Sequence, residues 1–200
     1  MRHDLEIDGS AFRLRPVRLE DAAFIVELRS DPERGRYLHK GAPDAGSQET
    51  WLRTYLRTPG DCYFVIENRS SGTREGTAGI YNIHAGRRDA EWGRWILRRG
   101  SLAALESACL VYRAGFEMLG LESMYCRTIA ENAAALAFHD SFGVERIRRL
   151  PRYFERDGRH LDAIEGRLTR SRWRALRESA ERKAARAATW TNPALAAASS

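Results

Sequence analysis

The run Arg98-Arg99-Gly100-Ser101-Leu102-Ala103 stands where a short apolar strand pattern passes into an alanine-rich helical one. The first turn of a helix carries N–H groups with no internal acceptor, and the helix dipole adds positive potential there, so such a junction favours an anion. Small residues let a phosphate approach the backbone, and Arg98 or Arg99 can add charge. A plainer reading is that Ser101 only caps a core helix. Elsewhere in the chain, Trp51, Tyr63, Tyr81, Asn82, His84 and Trp92 combine flat apolar area with hydrogen-bonding tips. Such residues suit a sugar ring or a nucleobase, although aromatics at strand spacing also serve as core.

The elements that must position these residues follow from periodicity. Residues 12–17 alternate apolar and polar, and residues 19–28 have helical spacing, so a strand leads into a helix. Beyond Asp31-Pro32 the pattern predicts a short helix through Tyr37 and Leu38. A second helix follows with Ser47 as N-cap, carrying Trp51, Leu52, Tyr55 and Leu56 and stopping at Pro59-Gly60. Residues 62–67, 76–84 and 90–97 read as a three-strand meander. Alternation in the last strand puts Glu91, Gly93 and Trp95 on one face. Residues 101–119 form the most regular helix, with Leu102, Leu105, Cys109, Tyr112, Phe116 and Leu119 along one side and Gly120 ending it. A strand over 124–129, a helix over 132–142 and an antiparallel pair over 144–154 and 160–168 complete the pattern. The expected class is α/β (α+β), one mixed, mostly antiparallel sheet flanked by helices, as a domain over residues 1–169. Residues 170–188 read as an appended basic helix anchored by Trp173 and Leu176 and dispensable for the chemistry. Residues 189–200 read as a low-complexity tail expected to be disordered.

Composition narrows the function classes. With 200 residues, 43% of them hydrophobic, one core is expected. No apolar run is long enough for a membrane span and the first residues lack a signal-peptide core, which places the protein in the cytoplasm. Cys62, Cys109 and Cys126 are odd in number and without metal-like spacing, so they read as buried thiols and no metal is expected. The net charge of +6 resides almost wholly in the stretch from Arg170 to Arg186, where seven basic residues meet two acidic ones. A nucleic-acid reading rests on that one helix, and solvation, or packing on a second copy in a homodimer, explains its charge as well.

Two motifs in this order of elements resemble the GCN5-related N-acetyltransferase (GNAT) superfamily, over roughly residues 10–169. The superfamily's pyrophosphate loop reads Arg or Gln, two residues, Gly, one residue, then Gly or Ala. Arg98 and Ala103 match it, and Ser101 stands at the first glycine. Asn132-Ala133-Ala134-Ala135-Leu136-Ala137-Phe138-His139-Asp140-Ser141-Phe142-Gly143 resembles the family's Asn-x-x-Ala-x-x-x-Tyr-x-x-x-Gly-Phe helix, with His139 at the tyrosine and Val144 at the final phenylalanine. Glu91-Trp92-Gly93-Arg94-Trp95-Ile96 resembles the Glu-x-Gly-Tyr-x-Leu run of the ribosomal-protein and amino-sugar branch.

The resemblance implies a GNAT fold with a splayed strand pair, residues 90–97 against 124–129, and acetyl-CoA as cosubstrate. It implies backbone N–H groups of Trp95, Ile96 and Leu97 on the thioester carbonyl and pantetheine. The pyrophosphate then lies on Arg98, Arg99, Gly100, Ser101, Leu102, Ala103 and Ala104, and Asn132 anchors the pantetheine arm. Glu91 becomes the candidate base and His139 the candidate acid for the departing thiolate; pairing of Glu91 with Arg94 or Arg88, and packing of His139 on the sheet, are the structural alternatives. The stretch Arg29-Ser30-Asp31-Pro32-Glu33, the helix with Trp51, the strand from Tyr63 and Arg159-His160-Leu161-Asp162 resemble bacterial nucleotide-linked amino-sugar N-acetyltransferases. They imply a small nucleotide-linked amino sugar as acceptor, touched by Trp51, Tyr81, Asn82, His84 and Trp92. N-terminal acetylation of a ribosomal protein, which favours an open acidic groove, and a non-catalytic acyl-CoA-binding domain are the alternatives.

Overall fold

Period-two alternation gives each strand two faces, and in the middle of this sheet helices cover both. The computed structural model describes residues 4–33, 35–38 and 41–189. Its sheet has eight strands: β1 (Ile7–Asp8), β2 (Phe12–Pro16), β3 (Cys62–Asn68), β4 (Arg74–His84), β5 (Asp89–Leu97), β6 (Ser123–Ile129), β7 (Glu145–Arg156) and β8 (Arg159–Thr169), in the order β1-β2-β3-β4-β5-β6-β8-β7. Every neighbouring pair is antiparallel except β5 and β6. The helices are α1 (Ala22–Ser30), α2 (Ala45–Tyr55), α3 (Ala104–Arg113), α4 (Ala133–Ser141) and α5 (Arg170–Ala188). One face of the sheet meets α3 and α5 through Leu14, Phe64, Ile80, Trp92, Leu110 and Tyr112. The other meets α1 and α2 through Val17, Ile25, Leu52, Tyr63, Val65 and Ile96.

Two bulges decide which side chains share a face. In β4 the register moves from Tyr81↔Glu91 to His84↔Asp89, which leaves one extra residue on β4, and Asn82 takes φ 52. In β5 it moves from Gly79↔Gly93 to Thr77↔Ile96, with Arg94 at φ 51. A bulge inserts one residue and reverses the alternation beyond it. The expected common face of Glu91, Gly93 and Trp95 is therefore corrected. Trp95 joins Trp92, their ring centres 5.8 Å apart, and its indole N–H donates to Ser107 Oγ in α3 at 3.2 Å. The same bulge bends β5, and the parallel register with β6 covers only Asp89↔Ser123, Ala90↔Met124 and Glu91↔Tyr125. Beyond Glu91 the two strands splay.

Three helix expectations also change. α2 is capped by Asp44, whose carboxylate accepts the Ser47 N–H at 2.8 Å, so the helix starts before Ser47 rather than on it; aspartate is as good a cap as serine. The helix expected over 101–119 begins at Ala104, because Ser101 Oγ accepts the Ala103 N–H at 3.2 Å and holds that stretch as a turn. It ends in a π-turn, Ala114–Met118, in which Leu119 N–H donates to Ala114 C=O at 2.9 Å. Apolar periodicity runs on through such a turn, so the sequence carries no sign of it.

The core does not stop at Thr169. Trp173 is 1% exposed, stacks on Phe116 and meets Tyr112 at a tilt, and Ala184 and Ala188 are buried in the same cluster, while Leu176 covers Gly143. The helix lies on its own domain. Its arginines find acids there: Arg172 pairs with Glu145, Arg177 with Glu117 and Arg170 with Glu122, while Glu181 on the same helix also meets Arg177. That pairing uses up much of the charge on which a nucleic-acid reading depended. The expected disorder of the tail falls on residues outside the described ones from 190 onward.

Candidate active site

Glu91 sits where β5 leaves β6, and the β4 bulge turns both Tyr81 and Asn82 towards it. Asn82 Nδ2 donates to Oε2 at 3.1 Å and the Tyr81 hydroxyl lies 3.5 Å from Oε1. Arg127 of β6 completes the cluster, its Nη1 2.8 Å from Glu91 Oε2 and its Nε 3.0 Å from Glu165 Oε2. The partners expected from sequence are engaged elsewhere, Arg94 with Asp61 and Arg88 with Glu122. Burial pushes the Glu91 carboxyl above the usual carboxylate range, against the pull of Arg127 and of the Asn82 and Tyr81 hydrogen bonds. A carboxylate so raised can take a proton nearer neutral pH than an exposed one.

The splay opens a cleft of about 760 Å³ that reaches both sheet faces. On the α1–α2 side it is walled by Trp51, Tyr63, Tyr81, Asn82 and Arg94, and by Arg29 and Gln48 from the helices. Trp51, 42% exposed, stands at the mouth. Gly93 is at its closest point to Tyr81, where a Cβ would strike the phenol oxygen. Trp92 is 2% exposed and wedged among Trp95, Tyr112 and His139, so the expected acceptor contact is a core residue that backs the cleft. His84, at the far end of β4, is exposed and does not line the cleft, because the bulge at Asn82 ends the approach of β4 to Glu91.

On the α3–α4 side the cleft is lined by Trp95, Asn132, Ala135 and His139. Asn132 Oδ1 caps its own helix by accepting the Ala135 N–H at 3.1 Å. His139 is 8% exposed, and its Nδ1 has no protein partner. Burial pushes its pKa down to about 4, so the ring is neutral at pH 7. The imidazolium acid expected from sequence is corrected on this point, since a neutral ring can offer an N–H hydrogen bond but has no spare proton of ordinary acidity. Arg98, Arg99, Gly100, Ser101 and Leu102 border a separate shallow depression with Phe12, Asn68 and Glu75, at the foot of α3. Gly100 has φ 76 and turns the chain out of β5, while Ala103 is buried beneath the loop. Among the described residues no group of three or more His, Cys, Asp or Glu could hold a metal ion.

Sequence reasoning assigned no role to Arg127, placed Arg94 beside Glu91 rather than Asp61, and named Arg29 only within a resembling stretch. Alternation along β6 places Arg127 with Tyr125 on one face and was a usable signal. The bulge that redirects Arg94 had no sequence signature, since arginine rarely adopts a positive φ.

A strand pair splayed after its parallel start, with a helix N-terminus beside the gap, is the arrangement of an acyl-CoA-dependent transferase. The family model described as the acetyltransferase (GNAT) domain matches residues 12–145, and the chain belongs to that family. It is an acetyl-CoA-dependent N-acetyltransferase. Apo FdhC, described as a nucleotide-linked sugar GNAT, is 28% identical with a TM-score of 0.74, over 88% of this chain and 97% of its own. A GCN5-related N-acetyltransferase from Brucella melitensis is 19% identical with a TM-score of 0.79, over 90% and 85%. Spermidine N-acetyltransferase from Vibrio cholerae, in complex with CoA and spermine, is 20% identical with a TM-score of 0.75, over 82% and 99%. The last two share the fold. No helix among the described residues is long and apolar enough to cross a membrane.

Proposed function

We propose that this enzyme acetylates the primary amine of a nucleotide-linked amino sugar, by direct attack on the thioester in a ternary complex with no covalent enzyme intermediate. The carrying observation is charge. Among the described residues that line the cleft, three are arginines, Arg29, Arg94 and Arg127, and one is a carboxylate, Glu91; Asp61 and Glu165, which pair with Arg94 and Arg127, are not among the lining residues. A polyamine would bring several positive charges against three guanidinium groups, whereas the phosphates of a nucleotide-linked sugar complement them. A protein N-terminus suits an open acidic groove, and this cleft is aromatic and basic. The likeness to a protein described as a nucleotide-linked sugar GNAT supports the same class.

In this reading Glu91 takes the proton that the acceptor ammonium must lose before attack, with Tyr81 and Asn82 orienting the carboxylate. The N–H groups of Trp95 and Leu97, on the β5 edge that leaves β6, hold the thioester carbonyl and pantetheine, while Ile96, paired with Thr77, turns its N–H to β4. The backbone from Arg98 to Ala104 takes the pyrophosphate, with Asn132 supporting the pantetheine arm. Neutral His139 hydrogen-bonds the leaving sulfur, whose thiol pKa of about 8.5 makes it a fair leaving group unaided. A cytoplasmic setting belongs to the same reading: Cys62, Cys109 and Cys126 are free and buried, as thiols are in a reducing compartment.

The test is CoA thiol release across a panel of nucleotide-linked amino sugars, the corresponding free amino sugars, spermidine and ribosomal-protein N-terminal peptides. The highest kcat/KM is expected for a nucleotide-linked amino sugar. A higher value for spermidine or a peptide would overturn the reading.

A further inference from the structure

We infer that Arg94, held by Asp61 and accompanied by Arg29, is an anion subsite that takes the diphosphate of the acceptor. The inference rests on the function proposed above and names the part of the substrate that this end of the cleft reads. Arg94 occupies the β5 bulge at φ 51, a conformation that L side chains rarely adopt and that the preceding Gly93 would have entered freely. An arginine kept in such a place points to a role for its side chain. Its guanidinium lies 4.6 Å from the ring centre of Tyr81, 5.3 Å from that of Tyr63 and 5.7 Å from that of Trp51. Ring faces steady a guanidinium without consuming its N–H donors.

Asp61 engages only one end of the fork, with both carboxylate oxygens on Nη1 at 3.0 and 2.8 Å. Among the described residues no protein acceptor takes the Nη2 or Nε hydrogens, and Arg94 lines the cleft. Arg29 lines the same wall. Burial, with the positive charge of Arg94 adding to it, holds the Arg29 guanidinium below its ordinary pKa. Planar forks suit the paired oxygens of a diphosphate, and two guanidinium groups line this wall. Tyr81 touches both groups: its hydroxyl lies 3.5 Å from Glu91 Oε1, and the Arg94 guanidinium lies over its ring. An amino sugar bridging them presents its amine to the carboxylate and its anomeric phosphate to the arginine.

The experiment titrates CoA-saturated protein by calorimetry with inorganic pyrophosphate, UDP, dTDP and GDP, so that the probes cannot enter the CoA site. The variant is Asp61→Asn with Arg94→Gly, which removes both charges and places glycine where φ is positive, and its melting temperature and CoA affinity are measured alongside. Wild type is expected to bind at least one probe, and the variant to bind it about tenfold or more weakly with CoA affinity kept. Equal binding by the variant, or binding of no probe by wild type, would overturn the subsite. The two readings separate cleanly: if wild type and variant acetylate a nucleotide-linked amino sugar with the same KM, the subsite fails and the function stands. If another amine is the better acceptor while probes bind through Arg94, the function fails and the subsite stands.

Discussion

Arg127 Nη1 lies 2.8 Å from Glu91 Oε2, across the gap where β5 and β6 part, and the same guanidinium is shared with Glu165. The cation favours the carboxylate form of Glu91, while burial and the negative charge of Glu165 favour the protonated form. Arg127→Gln removes the only one of these influences that a single substitution on β6 can delete. Glu91 then holds its proton to higher pH, and the acidic limb of kcat/KM should move up by about one unit or more. A pH profile with an unmoved limb would take Glu91 out of the titration.

If Glu91 is the base, Glu91→Gln should lower turnover by about 10²-fold or more and abolish the acidic limb, with acetyl-CoA affinity nearly intact. Steady-state kinetics across pH, with calorimetry for the cosubstrate, checks both halves. Wild-type turnover in this variant would assign proton removal to water.

Ser101→Glu places a carboxylate at the foot of α3, on the loop that turns at Gly100. CoA affinity should fall by about tenfold or more from charge repulsion alone. Unchanged affinity by calorimetry would move the pyrophosphate off this loop.

His139 is neutral in the fold down to about pH 4, whereas an exposed histidine takes its proton near 6.5. Between these values the unfolded chain binds a proton that the folded chain refuses, so stability is lost as pH falls from about 6.5 to about 4 and is recovered as pH rises. Over that window the difference in unfolding free energy between wild type and His139→Phe should change by an amount on the order of 3 kcal/mol. Denaturant melts at pH 4.5 and 7 provide the comparison. A pH-independent difference would mean that the ring protonates in place. In turnover, His139→Phe should cost less than Glu91→Gln, because a neutral ring contributes only a hydrogen bond.

Trp173 fills the space over Tyr112 and Phe116. Trp173→Ala should destabilise the whole domain by about 3–5 kcal/mol, and a chain cut after Thr169 should lose cooperative folding. Intact folding and CoA binding by the shortened chain would restore α5 to the status of an appendage.

The order of elements was legible because it depends on local chemistry. Residues 12–17, 62–67 and 90–97 alternate, Asp157-Gly158 closes the last hairpin, and the run from Asn132 to Gly143 has helical spacing with a cap at each end. The small-residue junction after Arg98 and the carboxylate at Glu91 were likewise visible as residue types. What local chemistry could not decide is which way side chains face once alternation is interrupted. Asn82 and Arg94 both take a positive φ that nothing in their own chemistry demands, and only the pairing of β4 with β5 makes them do so. Those two bulges send Trp95 to the α3 face, gather Tyr81 and Asn82 on Glu91 and carry Arg94 to Asp61. Burial was equally out of reach: His139 is a titrating group by type and a neutral one by position, because Trp92, Trp95 and Phe138 surround it. Arg127 meets Glu91 only because a parallel strand, far away in sequence, comes alongside for three residues and then departs.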